Sequence, residues 1–312
     1  MKCPLCSSKS SFAFKAREIP VRDCDLCGHR FAELEAGEEH VVSVYDDSYF
    51  FGGEAGYSDY TAEADLLVER GRMYAEKLAR YTTPGRMLDV GAACGFSLKG
   101  FTDKGWNGVG LEPNAAMARL AKERMNLDVF EGSLESCTLD RRFDLVSMLQ
   151  VAGHFYDPLK AFKRAYELLN VDGFLLIESW NRESFSARLL RKHWHEYSPP
   201  SVLQWFSLKG MTRFLEGLGF ETVAAGRPSK RIKGSHAKSI LKYRIGDNFL
   251  LNLIPDGLNI PYPSEDLFWA LYRKNTIDVT LPDEIATAHD PDAAMPYEIK
   301  LPVEHPGEPL HR

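Results

Sequence analysis

From Met87 onward, short unbroken apolar runs alternate with segments whose apolar positions recur every three to four residues. MLDVGAACG, NGVGLEP, LDVFEGS, FDLVSMLQV, GFLLIESWN, ETVAAGR and DLFWALYRKN read as strands, too short and too continuously apolar for amphipathic helices. FSLKGFTDKG, NAAMARLAKERMN, DPLKAFKRAYELLNVDG and SLKGMTRFLEGLGF between them carry the helical period. Asn114 opens one helix as a cap; Asp157 and Pro158 open another, which is expected to close at Asp172-Gly173. Strands apolar on both faces, joined by helices, require a parallel sheet covered on both sides. Upstream, TAEADLLVERGRMYAEKLARYTTPG has apolar residues at Leu67, Met73, Tyr74, Leu78 and Tyr81 and stops at Pro84-Gly85, an amphipathic helix entering the domain.

The flanking segments break this pattern. Residues 1–43 are rich in turn residues and cysteine, and residues 44–86 join an aromatic stretch, VYDDSYFFGGEAGYSDY, to the entry helix. Those aromatics either close over a ligand or pack the join against the main domain. Residues 87–275 form the α/β domain, interrupted by an insertion at 227–264, and a proline-rich acidic tail at 276–312 has no periodicity and is read as extended or disordered. The insertion gathers Lys230, Arg231, Lys233, Lys238, Lys242 and Arg244, either a solvated helix face or a holder for an anionic or carrier-linked acceptor.

Composition narrows the classes. The chain has 312 residues, 44% hydrophobic, with 38 basic against 44 acidic side chains and a net charge of −6, which gives no general grip on nucleic acid or membrane. No stretch reaches the roughly 18 apolar residues of a membrane span, and MKCPLCSSKS lacks the apolar core of a signal peptide. The expected location is cytoplasmic, where thiols stay reduced.

Four of the six cysteines form two C-x2-C pairs, Cys3/Cys6 and Cys24/Cys27. Two such turns supply a tetrahedral four-sulfur set for structural Zn2+, with no open position for catalysis. The intervening SFAFKAREIPVRDC reads as the hairpin of a zinc ribbon, and a segment this small depends on the metal to fold. Disulfides are the competing reading, and His29 is a possible substitute ligand. Cys94 and Cys137 read as small core residues.

LDVGAACGF places a small-residue turn directly after the first strand, where doubly wound sheets bind ligands. A dinucleotide fingerprint needs glycine at the first, third and sixth positions, and this chain has Gly91, Ala93 and Phe96. Glu112, 21 positions after Gly91, ends the next strand where a carboxylate reaches ribose hydroxyls. With Leu88, Asp89, Gly91, Gly95 and Glu112, and with EGS at Glu131 to Ser133, the chain resembles class I S-adenosyl-L-methionine (SAM) methyltransferases. More narrowly, it resembles bacterial members with an N-terminal four-cysteine zinc module, met in sugar, cell-surface polysaccharide and secondary-metabolite pathways.

The resemblance implies a Rossmann-like α/β fold with a seven-stranded, mostly parallel sheet and a small N-terminal zinc ribbon. It implies SAM contacts from Asp89, Gly91, Ala93 and Gly95 around the methionine part, Glu112 at the ribose, and Pro113 and Asn114 near the adenosine. Ser133 and Leu134 would flank the adenine, and Gln150 would touch the methyl region. Catalytic candidates are His154, as general base or as a loop cap, and His193 and His195 on a segment whose Trp194, Tyr197 and Trp205 could wall off the site. Val202 stands where relatives often have a histidine. The expected function is O- or C-methylation of a small molecule, such as a sugar nucleotide or a natural-product or glycan intermediate. Two alternatives stay open: an RNA base methyltransferase gripping RNA with its ribbon, and a non-catalytic zinc-stabilised interaction protein. Against RNA, residues 1–36 balance six Lys/Arg with five Asp/Glu.

Overall fold

A computed structural model describes residues 1–46, 49, 50, 60–235, 237, 238, 242, 251 and 253–275. The tail at 276–312 and most of the insertion between 239 and 252 lie outside the described residues.

The N-terminal strands are β1 (Ser10–Ala16), β2 (Ile19–Cys24) and β3 (Arg30–Ala32), followed by α1 (Glu38–Val44). β1 and β2 form the expected hairpin, and β3 adds to β2. The short helix α1 falls across the boundary drawn at residue 43 and was not legible from periodicity, since only Val41 of its seven residues is buried.

The main domain runs α2 (Ala64–Leu78), β4 (Arg86–Val90), α3 (Phe96–Thr102), β5 (Asn107–Glu112), α4 (Ala115–Met125), β6 (Val129–Glu131), β7 (Phe143–Leu149), α5 (Pro158–Leu168) and β8 (Leu169–Trp180). It continues with α6 (Phe185–Leu190), β9 (Gln204–Trp205), α7 (Leu208–Gly217), β10 (Phe220–Gly226), β11 (Lys230–Lys233), β12 (Asn259–Tyr262) and β13 (Leu267–Lys274). The helix starts follow the local chemistry. Asn114, Asp157, Ser184 and Ser207 each accept a hydrogen bond from the backbone amide three residues on.

Seven strands form the main sheet in the order β10-β13-β8-β7-β4-β5-β6. The five from β8 to β6 are parallel, and β13 inserts antiparallel between β8 and β10. β4 is the middle one of the five parallel strands, so the turn that follows it opens midway along their carboxyl edge. α5 stops at Leu168 rather than at the expected Asp172-Gly173, because the chain enters β8 at Leu169 and turns within it at Asp172, φ +60°.

The N-terminal strands are not a separate lobe. β9 pairs antiparallel with β3, giving a four-stranded sheet β1-β2-β3-β9 in which Arg30 faces Trp205 and Phe31 faces Gln204. Cys3, Leu5, Cys24 and Phe31 pack into the same apolar cluster as Leu88, Val146 and Ile177 of the main sheet. Trp194, Tyr197 and Trp205 join Ala16, Val21 and Ala32 in a second cluster. The expected lid aromatics are therefore the buried seam between the two sheets. They do not wall the cavity, because each ring packs towards the hairpin: Trp194 and Trp205 are only 2% exposed.

The basic insertion begins as β11, paired antiparallel with β12, and among its described basic residues Lys238 and Lys242 are helical, so the helix face considered for it holds only beyond the strand. No described helix is long and apolar enough to cross a membrane.

Candidate functional site

A cavity of about 390 Å³ opens at the carboxyl ends of β4, β5, β7 and β8, within the size range of small-molecule sites. Its floor is the turn after β4. Gly91, Ala93 and Gly95 have φ of +68°, +46° and +76°. Glycine enters this left-handed region freely, whereas alanine pays a Cβ clash of about 1 kcal/mol. The turn also leaves little room, since a Cβ on Gly91 would lie 2.8 Å from Val151 Cγ2.

Two buried carboxylates flank that turn. Asp89 Oδ1 accepts from Ser147 Oγ at 2.6 Å, and burial pushes its carboxyl up to about 6 against the opposing pull of that bond. Glu112 accepts the amide of Ala93 at 2.8 Å on Oε2 and the amide of Asn114 at 2.9 Å on Oε1. Burial pushes Glu112 up to about 7 despite both amides. Each oxygen keeps a second lone pair, and Glu112 lines the cavity. A buried carboxylate with one acceptor position left on each oxygen fits a vicinal diol such as the SAM ribose.

The aromatic join roofs this end. Tyr45, Tyr49, Phe50 and Tyr60 line the cavity, and Tyr45–Tyr49, Tyr49–Phe50 and Phe50–Tyr60 meet edge to face. The described part does both things considered for it: it lines the cavity and packs the join against the main domain, with Phe50 beside Phe96 and Met117 and Tyr60 stacked on Phe96. Asn114 Nδ2 donates to the Tyr45 carbonyl at 2.9 Å and ties the roof to the start of α4.

The other end lies beyond β7. Gln150 has φ +63° and its Nε2 donates to Glu178 Oε1 at 3.1 Å. Glu178, 1% exposed, also takes hydrogen bonds from Arg70 and Tyr74 of α2. His154 Nδ1 lies 2.8 Å from the Ser201 carbonyl and 2.7 Å from Tyr45 Oη. Burial lowers the imidazole, and the Ser201 and Gln150 carbonyls partly restore it. Trp180, His195, Glu196, Lys230, Ile232 and Tyr262 complete this end.

The expected residues separate into two groups. Asp89, Gly91, Ala93, Glu112, Pro113, Ser133, Leu134, Gln150, His154 and His195 line the cavity. Three others do not reach its wall. Gly95 is the left-handed residue preceding α3 and abuts Leu127, and Asn114 is occupied as the cap of α4 through the amide of Met117. His193 is exposed on the turn after α6, because the buried Trp194 takes the inward direction at that point, and this corrects its place among the catalytic candidates. His195 sits at the rim, 3.3 Å from Glu196.

Sequence reasoning missed Arg70, Glu178, Glu196, Trp180 and Tyr45. Glu178 had left a signal: a lone acid inside the apolar run LLIESW costs too much to bury without partners. Val202 lines the cavity as a buried apolar residue, so no imidazole stands at that point.

The four N-terminal cysteines converge although Cys3 and Cys27 are 24 positions apart in sequence. Cys3–Cys27, Cys6–Cys24 and Cys6–Cys27 sulfurs lie 3.7, 3.5 and 3.5 Å apart, and all four fall within 4.8 Å of one another. A tetrahedron with Zn–S bonds of ~2.3 Å has S···S edges of ~3.8 Å, so the donor set fits zinc. The amides of Leu5, Leu26 and Cys27 point at Cys3 or Cys24 sulfur at 3.4 Å, as they would to support thiolates. All six cysteines are free thiols. His29 is not part of this set; its Nε2 pairs with Gln204 Oε1 at 2.9 Å in the buried seam.

The sheet order, with a tight turn after β4 and an acid ending β5, is that of a class I SAM-dependent methyltransferase fold. A family profile described as a methyltransferase domain matches residues 66–225, just over half of the chain, and the chain belongs to that family. A ubiquinone biosynthesis O-methyltransferase of Rhodopseudomonas palustris (strain BisB5) is 28% identical over 145 residues, 43% of this chain and 57% of the relative. One from Bradyrhizobium sp. (strain ORS 278) is 31% identical over 127 residues, 38% and 47% of the two chains. The chain spans about half the length of these curated relatives. A crystal structure of a Bacillus halodurans C-125 protein superposes with a TM-score of 0.50 at 17% identity, covering 66% of this chain and 99% of that one, a likeness of fold.

Proposed function

We propose that the protein transfers a methyl group from SAM to a hydroxyl of a small-molecule acceptor. The observation that carries this reading is Glu112, a buried carboxylate with free acceptor positions beside the Gly91–Gly95 turn, in a cavity that continues to polar groups at its far end. When bound, SAM supplies a methyl already activated by its sulfonium. The chain has then to hold, align and dry the reacting groups.

In this reading Glu112 takes the ribose hydroxyls, the backbone of the turn and Asp89 meet the methionine part, and Ser133 and Leu134 border the adenine. Tyr45, Phe50 and Tyr60 exclude water. His154 is the first candidate for the acceptor's proton. Its Nδ1 faces the Ser201 carbonyl, which can only accept, so Nδ1 carries the ring proton and Nε2 is the basic nitrogen. The lowered pKa keeps the ring neutral at pH 7, and the nearby carbonyls favour it once protonated. His195 is the second candidate.

The relatives named as O-methyltransferases favour oxygen over carbon as the acceptor atom. Aromatic faces mixed with carboxyl and amide groups at the far end suit a polyhydroxylated or aromatic acceptor, including the sugar-type acceptors expected from the sequence. The aromatic roof favours a small molecule over a nucleic-acid strand. We also propose that Cys3, Cys6, Cys24 and Cys27 hold one structural zinc.

Calorimetric titration with S-adenosylhomocysteine tests the reading. Saturable one-site binding to the wild type, abolished by Glu112→Ala, is expected. No binding to the folded wild type overturns it and favours a non-catalytic role.

A further inference from the structure

The basic residues from Lys230 to Arg244 of the insertion do not act alike where they are described. In β11 side chains alternate, so Lys230 and Ile232 share one face and Arg231 takes the other. Lys230 and Ile232 line the cavity, while Arg231 is exposed. Lys233 is tied to Asp65 at 2.6 Å, and Lys238 is paired with Asp256. These ties fasten the hairpin beside α2 and aim Lys230 inward.

Inside, the Lys230 ammonium lies 5.1 Å from the ring centres of both Trp180 and Tyr262. Among the described residues it has no hydrogen-bonded oxygen and no carboxylate within 4 Å. The acids that face it are Glu63, Glu178 and Glu196. Glu178 already serves Arg70, Tyr74 and Gln150. Burial pushes Glu196 up to about 8, which leaves it largely protonated at pH 7. Burial also disfavours the ammonium. A partly buried cation between two aromatic faces, with three donors and no anion in contact among the described residues, is suited to take one.

Its position suits the acceptor. Trp180 ends β8 and Glu112 ends β5, three strand spacings apart or ~14 Å. We propose that Lys230 anchors the methyl acceptor through an anionic oxygen, a phosphate or a carboxylate, at the end of the cavity away from Glu112. This rests on the methyltransferase reading above.

The test uses the full chain saturated with S-adenosylhomocysteine, titrated calorimetrically with uridine diphosphate as the phosphate probe and benzoate as the carboxylate probe. At least one probe should bind, and Lys230→Met should weaken it tenfold or more. Lys230→Arg, which keeps the charge, should restore most of the affinity, and Arg231→Gln on the outer face should change nothing. Which probe binds tells phosphate from carboxylate. If S-adenosylhomocysteine binds every variant alike but neither probe binds, or Lys230→Met binds as the wild type does, the anchor is overturned while the methyltransferase reading stands. If S-adenosylhomocysteine itself fails to bind the wild type, both fall.

Discussion

Glu112 accepts the main-chain amide of Ala93 at 2.8 Å, which joins the end of β5 to the turn after β4. One carboxylate thus shapes the turn and, in the proposed function, takes the ribose hydroxyls. Its replacement should affect binding more than folding. Hydrogen bonds to charged groups contribute about 1.5–3 kcal/mol each, so Glu112→Gln is expected to weaken S-adenosylhomocysteine at least tenfold by calorimetry, with the far-ultraviolet circular dichroism unchanged. Unaltered affinity would remove Glu112 from the site.

The same residue gives a pH dependence with a definite sign. Folding raises Glu112 from 4.5 to about 7 and Asp89 from 3.8 to about 6. The folded chain therefore binds more protons than the unfolded chain between those values, and the ligand-free protein loses stability as pH rises through roughly 4 to 7. Denaturant melts at pH 5.5 and 7.5 should show this, with a shallower slope in Glu112→Gln. Nucleoside hydroxyls favour the ionised carboxylate, so S-adenosylhomocysteine affinity should instead rise over pH 6 to 8.

Ala93 holds φ +46° where glycine would rest without strain. Ala93→Gly is expected to gain up to about 1 kcal/mol, or about 2–4 °C in Tm, with cofactor affinity little changed. A lower Tm would show that the methyl group contributes packing worth more than the strain, since Ala93 is buried beside Cys94 and Met117.

Arg70 and Glu178 form a pair in which the carboxylate is nearly inaccessible. Removing one member leaves an uncompensated charge, so Glu178→Ala is expected to cost about 3–5 kcal/mol in urea melts. The double variant Arg70→Met/Glu178→Met should recover much of that loss. Additive losses would mean the two do not act as a unit.

Metal analysis of purified protein should give near one zinc per chain, falling to near zero in Cys6→Ser. Because β3 pairs with β9 and Cys24 packs against the main core, metal loss should also lower the Tm of the whole chain. A metal-free protein with an unchanged melt would overturn the structural zinc.

The local chemistry of the chain determined its elements. Continuous apolar runs fixed strands buried on both faces, Asn114, Asp157 and Ser207 marked helix starts, and Asp89, Gly91 and Glu112 marked the cavity end proposed for the cofactor, because each depends on neighbours in sequence. The C-x2-C spacing likewise announced the sulfur cluster. Tertiary structure alone decided what arises from contacts between distant segments: β9 completing the N-terminal sheet, β13 running antiparallel between β8 and β10, and His193 turned out to solvent. It also brought Arg70, Glu178 and Lys230, spread over 161 positions of the chain, to one cavity end. No local pattern encodes such a meeting, since what surrounds a buried charge comes from segments distant in sequence.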